Sequence, residues 1–203
     1  MNMSKIIAAF LLLSFATSCV ETVVVGGAAT SVLLVREKSL VDTKNDVKIA
    51  TYLNAKFLKE GLKNPGNIID VMVNEGRVLL TGIARDPEKA KLAIDFAWKA
   101  GGVKEVIDEI QVSENESITP KDAVKDVKDY WITAQIETKF LFSKKISTVN
   151  YKITTVSGTA YILGVAEDDI EMRAVLSTAA KTNGVKKVVN HVILANDSRR
   201  RNG

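Results

Sequence analysis

Cys19 and His191 are the only cysteine and the only histidine in 203 residues. A structural zinc site needs about four such ligands and a disulfide needs two cysteines, so neither a metal framework nor a disulfide scaffold is expected. A serine nucleophile would have only His191 as its base. That histidine sits among the alternating apolar residues Val188 to Leu194, where a structural role is the expectation. The carboxylate pairs are no better: Asp168-Asp169 fall at a helix start, and Asp108-Glu109 lie in a strand with side chains pointing opposite ways. Neither Gly26-Gly27 nor Gly101-Gly102 stands in a phosphate-loop context. No catalytic residue, metal or cofactor is therefore expected. Long polar tracts are also missing, and with 46% hydrophobic and 26% charged residues the chain is globular.

Strong charge is lacking too, the net value being +4. Basic and acidic side chains number ten and ten over residues 46–112 and eight and six over 129–195, with three arginines against one aspartate in the basic tail 196–203. The excess lies toward the C-terminal half. It favours anionic surfaces weakly and is too small for a nucleic-acid partner.

What the sequence does contain begins with Lys5, the apolar run Ile6 to Phe15, and the small residues Ala16-Thr17-Ser18 before Cys19. This is the pattern of a signal peptide over residues 1–18, too short to span a bilayer. A lone cysteine after small residues resembles the lipobox of bacterial lipoproteins, although Ala16 stands where the box usually has Leu. The resemblance implies that Cys19 is acylated and becomes the first residue of the mature protein, with residues 19–45 as a lipidated tether. Val20, not aspartate, after the cysteine implies outer-membrane sorting. Two other readings stay open: a plain signal peptide with an incidental cysteine, and an uncleaved membrane helix through Val23 to Val35. Gly26-Gly27, the β-branched residues and Glu21 weigh against the last.

Beyond the tether the chain repeats itself. Asp46 to Leu58 recurs as Asp129 to Leu141, with Ile49, Leu53 and Phe57 becoming Ile132, Ile136 and Phe140 at the i, i+4, i+8 spacing of one helix flank. At offsets of 82 to 83 residues, Gly76, Gly82 and Gly102-Val103 recur as Gly158, Gly164 and Gly184-Val185. This is a tandem duplication of units 46–112 and 129–195, joined by a linker, 113–128, in which Asp122 to Lys128 can extend the following helix. Each unit reads as a helix, a hairpin (Ile68–Val73 with Val78–Thr81; Asn150–Thr155 with Ala160–Leu163), a second helix and a last strand. The second helix opens at Asp86-Pro87 in one copy and at a capping box, Asp168 with Glu171, in the other. The fold class is α+β: two tandem αββαβ units, each a three-stranded mixed sheet packed by two helices. Trp98, on the second helix of the first unit, is expected in the core or between the units, with contact to a partner as the alternative.

The order αββαβ, with Gly-Val-x-x-Val-x-(Asp/Asn)-x-(Ile/Val) closing each unit, resembles the BON domain family. Signal peptide, cysteine and two such units together look like the dual-BON lipoproteins of the Gram-negative outer membrane, the DolP type. The segment Asp129, Trp131, Ile132, Thr133 matches that type. The resemblance implies a lipid-anchored protein on the periplasmic face of the outer membrane that binds anionic phospholipid through its second unit and supports outer-membrane integrity. The residues themselves point to the same place. Tyr130 and Trp131 replace Val47 and Lys48 of the first copy, so the fold does not need them. With Gln135, Thr138, Lys139, Phe142, Lys144 and Lys145 they form the candidate phospholipid-binding face. Two alternatives remain: an adaptor that docks outer-membrane or other envelope proteins on the same aromatics, and burial of Trp131 against the first unit.

Overall fold

The computed structural model describes residues 29–64, 67–113 and 120–201. Contacts divide the chain into residues 1–37 and 38–203, and both repeats belong to the second of these units. The first repeat consists of helix α1 (Ala29–Lys59), strands β1 (Lys63–Asn64), β2 (Asn67–Asn74) and β3 (Arg77–Ala84), helix α2 (Pro87–Lys99) and strand β4 (Glu105–Val112). The second consists of α3 (Pro120–Leu141), a 3-10 turn (Thr148–Asn150), β5 (Tyr151–Val156), β6 (Thr159–Ala166), α4 (Asp169–Ala180) and β7 (Lys187–Leu194), followed by the short α5 (Ser198–Arg201).

Both first helices start earlier than their repeated cores. Helix α1 opens at Ala29 and includes Thr30, Val32 and Val35, so the β-branched residues do not prevent a helix there. Their propensity cost, about 0.5 kcal/mol each, is small enough for context to override. Helix α3 opens at Pro120, whose missing N–H is no loss at a first helical position, and runs through Asp122–Lys128 into Trp131.

Each hairpin turns on two left-handed residues, Glu75 and Gly76 (φ 52° and 79°) or Ser157 and Gly158 (φ 53° and 83°), the geometry that matches strand twist. The aspartate opening each repeat holds this turn. Asp46 accepts the Glu75 and Gly76 amides at 2.8 Å each, and Asp129 accepts those of Ser157 and Gly158 at 2.6 and 2.8 Å. The hairpin strands are antiparallel and the last strand pairs parallel to the middle one, with Gly82 opposite Ile110 and Gly164 opposite Val192. The sheets are mixed, as expected, but they differ in size. The second has three strands, whereas the first has four, because Lys63 and Asn64 fold back on Ile68 and Asn67. Asn64 secures that extra strand: its side chain accepts from the Asn67 amide and donates to the Gly61 carbonyl. The second repeat instead has the 3-10 turn directly before β5.

Ile49, Leu53 and Phe57 are buried against β2, β3 and α2, and Ile132, Ile136 and Phe140 occupy the same positions in the second core. The α4 start departs from a simple capping box. Asp168 does accept from the Glu171 amide, but the buried Glu171 carboxylate receives the amides of Glu167 and Ser147 rather than that of Asp168. It thereby ties the helix to the loop that leaves α3.

The faces of the two sheets turned away from the helices meet. Leu79, Tyr161 and Leu163 are buried there, with Met72, Ile107, Val156 and Val189 packed around them. Polar links surround this seam. Arg77 pairs with Glu105 at 2.5 Å and donates to the His191 carbonyl, while the His191 ring donates to Glu109 at 3.0 Å. His191 is thus a structural residue in the last strand, bonded across the repeats. The tail joins the same seam. Arg200 forms a bidentate pair with Glu75 at 2.6 and 2.8 Å, and Arg199 pairs with Asp197. Hydrogen bonds from Arg199 hold the Asp197 carboxyl well below the usual carboxylate range. The arginines at 199 and 200 are therefore engaged within the protein.

Candidate functional site

Helix α3 buries Ile132, Ile136 and Phe140, keeps Asp129, Thr133 and Ala134 half-buried, and exposes Tyr130, Trp131, Gln135, Glu137, Thr138 and Lys139. Trp131, Gln135, Thr138 and Phe142 follow one another along a single flank, because steps of three and four residues return to nearly the same angle. Trp131 is 62% exposed and Phe142 80%, so Trp131 is not buried against the first repeat. Phe142 follows the last helical residue, so helical rise places the two backbone positions about 16 Å apart along the axis. Tyr130, 70% exposed, points about 100° away from Trp131, and the rings meet edge to face at 6.3 Å.

The polar members of the expected face are partly engaged within the protein. Gln135 donates to the Trp131 carbonyl, Thr138 to that of Ala134, and Lys139 to the Thr182 hydroxyl at 3.1 Å. Lys144 and Lys145 are exposed in the loop after the helix. The chemistry available outward is consequently that of Trp131 and Phe142, with Lys144 and Lys145 beside the latter. Trp98 overturns its expectation. At 56% exposure it lies neither in the core nor between the repeats, because the inward positions of α2 are taken by Ala90, Ala93 and Ala97.

Tyr130 also lines a groove of about 360 Å³ between the repeats, walled by Ile68, Ile83 and Val156 and by the carboxylates of Asp70 and Asp129. Two acidic groups make it a poor seat for a phosphate. Sequence reasoning missed Val149, the most exposed of the large apolar side chains described, and also the exposed Leu141, Leu58 and Ile170. The only sequence signal was that Val149 stands where the first repeat has the buried polar Asn67. Cys19 lies outside the described residues. Among those residues no group of three His, Cys, Asp or Glu side chains could hold a metal ion, and no helix is long and apolar enough to cross a membrane.

Residues 45–114 and 128–196 each match the pattern described as BON domain. The chain is similar to a protein of Anaplasma centrale described as "Uncharacterized protein in gshII 5'region", at 36% identity over 77% of this chain and 99% of the relative. It is also similar to "Outer membrane lipoprotein DolP" of Haemophilus influenzae, at 27% identity over 86% of this chain and 88% of that one. A third relative, the "21 kDa hemolysin" of Actinobacillus pleuropneumoniae, is 30% identical over 60% of this chain and 59% of its own.

Proposed function

This chain belongs to the BON-domain family, and we propose that it is not an enzyme but an envelope lipoprotein whose second repeat binds anionic phospholipid. In this reading Cys19 carries the lipid anchor, the protein faces the periplasm from the outer membrane, and its contact with lipid supports the integrity of that membrane. The name of the Haemophilus influenzae relative, an outer membrane lipoprotein, supports the placement.

One observation carries the binding reading. Two copies of one helix fill the same three core positions, and only the second turns a tryptophan to solvent where the first has Lys48. An exposed indole that the fold does not require suits the headgroup boundary, where an apolar body and a polar N–H both find partners. Cosedimentation of the full chain carrying Cys19→Ser, which removes the anchor, tests this with anionic and neutral vesicles. Trp131→Glu is expected to keep the unfolding midpoint and abolish binding to anionic vesicles, whereas Lys48→Glu binds as before. Wild-type binding by Trp131→Glu would leave the envelope-protein adaptor as the use of this face.

A further inference from the structure

Phe142 and Val149, at 80% and 85% exposure, project from the end of α3 remote from Trp131. They flank a tightly built loop. Ile146 is buried in the core, the Ser143 amide donates to the Phe140 carbonyl at 3.0 Å, and that of Lys145 donates to the Ser143 hydroxyl. The Ser147 amide is held by the buried Glu171 at 2.7 Å. These bonds hold the loop backbone while leaving the Phe142 and Val149 side chains exposed at its two ends. The first repeat places Leu62 in its core near the same position, with the exposed Leu58 and the polar Lys59, Glu60, Lys63 and Asn64 around it. At the positions of Phe142 and Val149 it has Lys59 and Asn67, so the fold does not require those two apolar side chains.

Exposed Lys144 and Lys145 stand between Phe142 and Val149 in the chain. Apolar side chains interleaved with cations, without a closed apolar patch, match a surface that offers hydrocarbon beneath anionic headgroups. The acidic groove beside Tyr130 lacks that match. We propose that the loop from Ser143 to Asn150 is a second bilayer-insertion element, with Phe142 and Val149 entering the headgroup boundary while Lys144 and Lys145 meet anionic phosphates. This rests on the reading that the second repeat binds lipid, and it gives the repeat two footholds instead of one.

The test uses the full chain with Cys19→Ser and vesicles of phosphatidylcholine with or without phosphatidylglycerol. Val149→Glu is expected to weaken affinity for the anionic vesicles about tenfold, the scale of one lost apolar side chain, with an unchanged unfolding midpoint. Val149→Phe is expected to strengthen it. Joint reversal of Lys144 and Lys145 to Glu is expected to remove most of the preference for anionic vesicles. If Trp131→Glu abolishes binding while both Val149 variants bind as wild type, the second foothold is wrong and the lipid reading stands. If Trp131→Glu has no effect either, the lipid reading fails and takes this proposal with it.

Discussion

Gly164 sits where β6 passes the end of the 3-10 turn, and a Cβ built on it would lie 2.5 Å from the Asn150 carbonyl oxygen and 2.6 Å from Tyr151 Cδ1. Backbone cannot give way there cheaply, so Gly164→Val is expected to destabilise the second repeat by about 3 kcal/mol, read from a urea unfolding curve. An unchanged midpoint would contradict this. Its counterpart Gly82 is under a second constraint, having a φ of 108° as well as the Ile68 carbonyl where a Cβ would have to lie. Tyr151 next to Gly164 keeps its proton well above the ordinary tyrosine range, first through burial and then through the charge of Glu171. A raised pKa in the folded state means that stability is intact below about pH 10 and falls as pH rises beyond it. Tyr151→Phe is expected to flatten that alkaline fall in a series of melts at rising pH.

At the scale of the element, each repeat depends on an aspartate at the head of its helix core. Asp129→Ala would strip two charge-assisted hydrogen bonds from the β5–β6 turn, and Asp46→Ala would do the same to the β2–β3 turn. A loss of about 2 to 4 kcal/mol is expected for each, measured by chemical denaturation. Both aspartates were visible in the sequence as the first identity of the repeat, but nothing local told what they bind, since their partners lie 28 to 30 residues on. The helices, the hairpins and the parallel last strand were legible because side-chain periodicity and glycine position dictate them locally. The two-residue β1 was not, since two residues leave no periodic record and the Asn64 bonds to Gly61 and Asn67 that secure it follow no side-chain pattern.

For the whole molecule, the tail acts as a clasp between the repeats. A double-mutant cycle of Arg200→Ala with Glu75→Ala is expected to give a coupling of about 1 kcal/mol, because the pair is bidentate but still partly hydrated. Zero coupling would show the contact to be energetically idle. The anchor is tested at this scale too. Cys19→Ser is expected to release the protein from the membrane fraction after a high-salt and carbonate wash, since acyl chains contribute about 0.8 kcal/mol per buried CH₂. Retention would favour an uncleaved helix.

The sequence alone determined the duplication, the αββαβ order apart from β1 of the first repeat, and the core flank of each first helix, because burial at a fixed spacing leaves a periodic record. It also marked Trp131 and Phe142, since an internal copy without them serves as a control. The partner of the outer sheet faces was decided only in three dimensions. Leu79, Tyr161 and Leu163 read as strand residues of unstated orientation until the two sheets closed on them. His191, Glu109 and Arg77 acquired their roles from that closure, as did the arginines of the tail. Exposure of Trp98 and Val149 was likewise a tertiary outcome. A large apolar side chain carries no local sign of whether a neighbouring element will arrive to cover it.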